Sequence, residues 1–333
     1  MLYWLEFIVC TAAIVYCGAN LSKYGDVIAE KSGLGRTWIG VALMASVTSL
    51  PELITGIGSV TYAGAPDIAV GDVVGSCVFN MLIFAFLDVF YRPLPITTKA
   101  HHGNIISAGF GILLLCMTAA SILLKGRLLL FGWIGIYSIL FIIMYLVAMR
   151  TAYAYEKRQV TALIKELAEE LKYSDIPSRT VAVYFALNAG VVIAAAVFLP
   201  EIGLAIAKRT GLGQTFVGNI FIALSTSLPE VVVSIAAVRM GAVDLAIGNL
   251  LGSNICNIGL ILALDDIFFV KGPILSYVSG SHATSAILAI LMTSIAIIGL
   301  TYRSEKRRLF LAWDSIGIIV VYFINLMLLY AMR

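Results

Sequence analysis

The chain has 333 residues, 61% of them hydrophobic and 12% charged, with a mean hydropathy of +0.99 and a net charge of +3. A soluble domain carries about 45–50% apolar and about 25% charged residues, so there are too few charges here to cover a soluble surface, and the composition is that of a membrane protein. The balance of 22 Lys+Arg against 19 Asp+Glu gives no case for nucleic acid as a partner, and the apolar content excludes disordered and disulfide-scaffold classes.

A spanning helix needs about 20 mostly apolar residues. Dividing the chain at charges, Gly and Pro predicts ten such helices, near 3–22, 37–62, 68–90, 104–124, 128–149, 180–204, 214–238, 244–268, 282–301 and 310–331. The first has Glu6 as its only charge and no basic stretch before it, so it reads as a membrane helix and not as a cleaved signal. The one long polar connection, Arg150 to Arg179, separates five helices from five. Its apolar residues Val160, Leu163, Ile164 and Leu167 stand among charges, a pattern open to an amphipathic surface helix, with a simple tether as the default reading. With the N-terminus outside, sixteen of the 22 Lys and Arg fall in cytoplasmic connections. Both termini are therefore expected outside and the linker inside. The simplest location is the plasma membrane.

Cys10, Cys17, Cys77, Cys116 and Cys256 all lie in apolar runs without ligand spacing and read as small packing residues. His101, His102 and His282 lie at membrane edges and read as loop and helix-end residues. There is no HExxH, nucleophile elbow or phosphate-cradling glycine loop.

An internal repeat is plain. Gly33-Leu-Gly-Arg-Thr-Trp-Ile-Gly40 returns as Gly211-Leu-Gly-Gln-Thr-Phe-Val-Gly218, and Thr48-Ser-Leu-Pro-Glu52 returns unchanged as Thr226-Ser-Leu-Pro-Glu230. The run Asp67 to Asn80 then matches Asp244 to Asn257 after a one-residue deletion. Five is odd, so a five-helix unit and its copy cross the membrane in opposite senses. The expected organisation is a first repeat at 1–149, a cytoplasmic linker at 150–179 and a second, inverted repeat at 180–333. Such repeats place a substrate site near the bilayer midplane, where interrupted helices meet.

The repeated residues suit a cation. Pro51 and Pro229 remove backbone N–H groups and break the second and seventh helices, freeing carbonyls near Ala45–Thr48 and Ala223–Thr226. Glu52 and Glu230 place one carboxylate in each break, where an ionised group costs at least about 2.5–3.5 kcal/mol. Asp72, Ser76 and Asn80 are spaced four apart, as are Asn249, Ser253 and Asn257, so each trio forms one polar stripe. Gly71, Gly75, Gly248 and Gly252 beside the stripes permit close helix approach. Carboxylates, hydroxyls, amides and carbonyls without a soft ligand point to calcium, sodium or a related hard cation.

On these residues the chain resembles the calcium/cation antiporter superfamily, and most closely its sodium/calcium exchangers. The resemblance spans the chain in topology and is specific at 33–88 and 211–264, which match the family's two alpha repeats. It implies that Glu52 and Glu230 bind Ca2+ with the backbone oxygens of Thr48 and Thr226. It also implies sodium sites built from Ser49, Ser76, Ser227 and Ser253 with the same groups, and central amides from Asn80 and Asn257. The implied fold has a rigid core of the second, third, seventh and eighth helices and a sliding pair, the first and sixth. Implied substrates are Ca2+ and Na+, with no cofactor and no obligate protein partner, in a three-for-one exchange by alternating access. The chain departs from the family pattern at Val47 and Ser225, where Gly is usual. It also has Asn257 where prokaryotic relatives often have Asp, and Asp72 where Asn is usual. Asp72 either adds negative charge at the site's edge or makes a helix–helix hydrogen bond.

Two other functions compete. A cation/proton exchanger of the same fold would use H+ as counter-ion at the same carboxylates. An intramembrane protease would need paired Asp, or Ser with His, and the midplane offers no His.

Overall fold

The computed structural model describes residues 2–91, 94–124, 130–166, 177–210, 225–305, 307–308 and 311–332. Eleven helices carry the architecture of these residues. They are α1 (Leu2–Ser32), α2 (Arg36–Thr48), α3 (Leu50–Thr61), α4 (Pro66–Phe90), α5 (Gly103–Leu123), α6 (Ile136–Glu166), α7 (Ser178–Thr210), α8 (Leu228–Arg239), α9 (Val243–Phe268), α10 (Ser281–Tyr302) and α11 (Trp313–Ala331). Eight are long and apolar enough to cross a membrane, and the pair α2 and α3, bent by 42° at Ser49, makes a ninth. The protein is thus an all-helical, polytopic membrane protein. The first half of the predicted seventh helix, 214–238, lies outside the described residues, and α8 is its second half.

Three boundaries differ from the sequence expectation. The fifth helix begins at Ile136 and not near 128, because Leu130–Phe131 and Ile134–Gly135 pair as a small hairpin (β1, β2) turning on Gly132 at φ 65°. The tenth begins at Trp313, after the paired strands β3 (Arg307–Arg308) and β4 (Leu311–Ala312). The expected linker is helical at its start, since α6 runs on to Glu166 through a stretch free of Gly and Pro that would end it.

Both hairpins are fastened to the core by a buried carboxylate. Asp266 accepts hydrogen bonds from Gly135 N–H (2.8 Å), Tyr137 O–H (2.8 Å), Ser138 O–H (2.6 Å) and Ile274 N–H (2.6 Å). Asp88 accepts from Ile96 N–H (2.9 Å) and Ala312 N–H (2.6 Å). Each anchor takes an N–H eight residues onward in the chain, so buried backbone donors at matching turns are satisfied the same way.

The main core is built on α4 and α9, most of whose residues are buried. By contrast, α1 presents Trp4, Leu5, Ile8, Val15 and Tyr16 outward, as a lipid-facing helix does. Part of its inner face packs on α7 and α8 in a small separate cluster of Ile14, Ala195, Ala196 and Leu199 with Ala13 and Val232. Tyr24 stacks on Tyr184 at 5.6 Å to tie α1 to α7. The cysteines are free; Cys77 and Cys256 are buried as expected, whereas Cys116 is exposed on α5, where a small apolar residue can face lipid.

Candidate cation site

The break between α2 and α3 follows from Pro51 in the first turn of α3. Without an N–H the ring cannot continue the ladder, and Ser49 takes φ −88°, ψ 4°. Ser227, before α8 and Pro229, takes φ −86°, ψ 5°. The two breaks therefore present the following carboxylate in the same way. The freed carbonyls are fewer than expected at the first break, because Ser49 N–H closes onto Ala45 O at 3.0 Å. Residues 223–224 of the second lie outside the described residues.

Glu52 and Glu230 are 0% and 1% exposed. Their hydrogen bonds are crossed between the two halves of the chain. Ser49 O–H donates to Glu230 Oε1 at 3.3 Å, and Ser227 O–H donates to Glu52 Oε1 at 3.5 Å. Ser253 O–H also donates to Glu230 Oε1 (3.3 Å), while Ser227 and Ser76 hydroxyls lie 3.2 Å apart. Thr48 O–H donates to Asn249 Oδ1 (3.2 Å) and lies 3.4 Å from the Ser253 hydroxyl. Its counterpart Thr226 donates to Asp72 Oδ1, again at 3.2 Å. Asp72 therefore makes the helix–helix hydrogen bond, and its second oxygen keeps the carboxylate available at the site's edge.

All of the sequence-predicted residues are buried, and nine of them take part in three hydrogen-bonded groups, one on each glutamate and one on Asp72. The amides stand differently. Asn80 Nδ2 donates to Asn254 Oδ1 at 3.0 Å and not to a glutamate, and neither side-chain atom of Asn257 has a hydrogen-bond partner among the described residues. The same holds for Glu52 Oε2, Glu230 Oε2, Asp72 Oδ2, Asn80 Oδ1 and Asn254 Nδ2. Buried polar atoms are normally satisfied, and this concentration of open oxygens around two carboxylates is an arrangement that can hold a cation. No three His, Cys, Asp and Glu side chains cluster as a metal site among the described residues. The hydroxyl and amide oxygens beside the carboxylates are of the kind that hard ions take as ligands.

Sequence reasoning left Asn249 and Asn254 out of the site. Asn249 was visible in the polar stripe. Asn254 stands where the first copy has Cys77, so the repeat concealed it. Asn257 opens a π-helical turn, Asn257–Ile261, and another covers Ile39–Met44. Such turns re-aim side chains and recur at functional sites, but no local sequence pattern announces them.

The close helix approach is real for the second copy. A methyl built on Gly248 would lie 2.7 Å from Thr37 O, and one on Gly252 would lie 2.5 Å from Val41 Cα. The residues matching Thr37–Val41 for Gly71 and Gly75 fall within 211–224, outside the described residues. The histidines stand apart: His282 pairs with Asp67 at 3.0 Å, and His101 lies 3.8 Å from Glu156.

The family model for the sodium/calcium exchanger protein matches residues 2–153 and 180–331. The chain belongs to the sodium/calcium exchanger protein family. It is accordingly a cation antiporter and not an enzyme. It is similar to the uncharacterized membrane protein MJ0091 of Methanocaldococcus jannaschii, with 29% identity over 77% of this chain and 78% of the relative. The inner membrane protein YrbG of Escherichia coli is 28% identical over 75% of each chain. The sodium/calcium exchanger MaX1 of Methanosarcina acetivorans is 31% identical over 43% of this chain and 38% of its own. Among solved structures, that of the sodium-calcium exchanger NCX_Mj soaked with 2.5 mM Na+ and 0.1 mM Ca2+ has the same fold. It superposes with a TM-score of 0.76 over 98% of both chains at 21% identity.

Proposed function

We propose that this family member exchanges Na+ for Ca2+ across the cell membrane by alternating access at a single midplane site built on Glu52 and Glu230. The observation that carries the reading is the crossed pair Ser49 to Glu230 and Ser227 to Glu52, with one open oxygen left on each buried glutamate. Ca2+ would take those two oxygens with backbone oxygens of Thr48 and Thr226. Na+ would take the hydroxyls of Ser49, Ser76, Ser227 and Ser253 with the same carboxylates, while Asn80 and Asn257 supply amide oxygens and Asp72 lies at the edge. Because both ions need the same carboxylates, one must leave before the other is held, which is what antiport requires.

The topology that suits this mechanism is ten helices as two inverted repeats, 1–149 and 180–333, joined by a cytoplasmic linker, with both termini outside. The matching φ and ψ at Ser49 and Ser227 support the duplication. The α1–α7 pair would slide against the core, a motion favoured by the small side chains Ala13, Ala195 and Ala196 at its contact. Names of relatives support Na+ and Ca2+ as substrates. Three Na+ against one Ca2+ would carry one net charge, worth about 2.3 kcal/mol per 100 mV.

The test is 45Ca2+ uptake into sodium-loaded proteoliposomes holding wild type, Glu52→Gln or Glu230→Gln. Uptake driven by the outward sodium gradient and lost in both variants is the expected result. Uptake driven only by a pH gradient would replace Na+ with H+ as counter-ion, and no uptake under either gradient would remove Ca2+ as substrate.

A further inference from the structure

Asp265, near the far end of α9, is 0% exposed and neither of its carboxylate oxygens has a hydrogen-bond partner among the described residues. Its neighbour Asp266 does the structural work at that helix end, taking four donors. Asp88 is the matching anchor in the first half, and the residue before it is the buried, apolar Leu87. The fold therefore needs one carboxylate at this helix end, and Asp266 is the one that serves. A buried carboxyl group with no partner is destabilising, which points to a ligand that the described residues do not supply.

The surroundings say where such a ligand would sit. A methyl group built on Gly56 would lie 2.6 Å from both oxygens of Asp265, so the carboxylate rests against bare glycine backbone. Gly56 follows Glu52 by four residues on α3, a rise of about 6 Å along the helix. The segment of α9 that carries Asp265 packs on α3 and on α4, the helix that carries Asp72. Asp72 keeps one open oxygen, while its other oxygen holds the Thr226 hydroxyl.

We infer that Asp265 and Asp72 form a second station for the transported monovalent cation, one helical turn from Glu52 toward Thr61, the outer side in the proposed topology. Two carboxylates and a hydroxyl fall short of the six to eight oxygens that Ca2+ takes, so a sodium-sized ion completed by water is the occupant. The station rests on the exchange reading above and adds a stop on its ion path.

The experiment compares wild type, Asp265→Asn and Gly56→Ala as full chains in oriented proteoliposomes, with half-saturating Na+ measured at each membrane face. Equilibrium binding of 22Na+ to the purified proteins is measured in parallel. Asp265→Asn is expected to raise half-saturating Na+ about tenfold at the outer face alone and to bind one sodium fewer per chain. Gly56→Ala, which crowds the carboxylate without removing its charge, is expected to shift the same constant in the same direction, and it decides alone should Asp265→Asn fail to fold. Unchanged sodium dependence in the folded variants, or equal shifts at both faces, overturns the station. A wild type without sodium-driven calcium flux overturns the exchange reading instead, and the 22Na+ count then still tests the station by itself.

Discussion

Replacing Gly252 by Ala puts a methyl group 2.5 Å from Val41 Cα and 2.8 Å from Val41 C, against backbone that cannot swing aside. Ordinary contact begins at 3.4 Å, so α2 and α9 must separate by about 0.9 Å. That displacement falls on the helix that carries Thr48. The Thr48–Asn249 hydrogen bond, now 3.2 Å, would open past about 4 Å and cease to be one, and the Thr48–Ser253 contact, now 3.4 Å, would widen with it. Overpacking costs about 1–3 kcal/mol and the lost neutral hydrogen bond about 0.5–1.5 kcal/mol, which gives a destabilisation of about 1.5–4.5 kcal/mol. The loss of function should exceed the loss of fold, since a misplacement of about 1 Å in a site can reduce activity by about a hundredfold. The assay is sodium-driven 45Ca2+ uptake normalised to folded protein by size exclusion. Gly109→Ala is the control, at a glycine on α5 where no described atom lies within 4 Å of the added methyl. Gly252→Ala protein that folds and transports at the rate of wild type would refute the claim that this close approach sets the site's geometry.

The crossed hydroxyls make a paired prediction. Ser49→Ala and Ser227→Ala should each raise half-saturating Ca2+ about tenfold, the low end for a hydrogen bond to a charged group given the long 3.3 and 3.5 Å contacts. Equilibrium 45Ca2+ binding checks this, and an effect confined to one serine would contradict the equivalence of the two breaks. Asp266→Ala strands four donors, two of them backbone N–H groups, and should cost several kcal/mol at about 1–3 kcal/mol for each donor left unpaired. Asp266→Asn keeps one acceptor oxygen and should lose about half as much; thermal unfolding followed by size exclusion reads both.

The amino-acid sequence by itself determined the membrane class, the two helix breaks and the two carboxylates within them. These are legible because they depend on covalent facts: proline has no N–H to donate, and a glutamate amid some 20 apolar residues is buried whatever the packing. The polar stripes were legible for the same reason, since a spacing of four fixes a helix face. Tertiary structure decided who meets whom. That Ser49 serves Glu230 and not the adjacent Glu52, that Thr226 holds Asp72, and that Asn80 turns to Asn254 all depend on how the helices cross. For α2 and α9 that crossing is set by the tight contact at Gly248 and Gly252. The hairpins ahead of Ile136 and Trp313 were hidden because their anchors, Asp266 and Asp88, come from remote helices. Asp265 beside Asp266 reads in sequence as one acidic pair at a helix end. Only packing against Gly56 separates an anchor saturated with donors from a buried carboxylate with none, because a hydrogen-bond partner is a property of position in space and not of position in the chain.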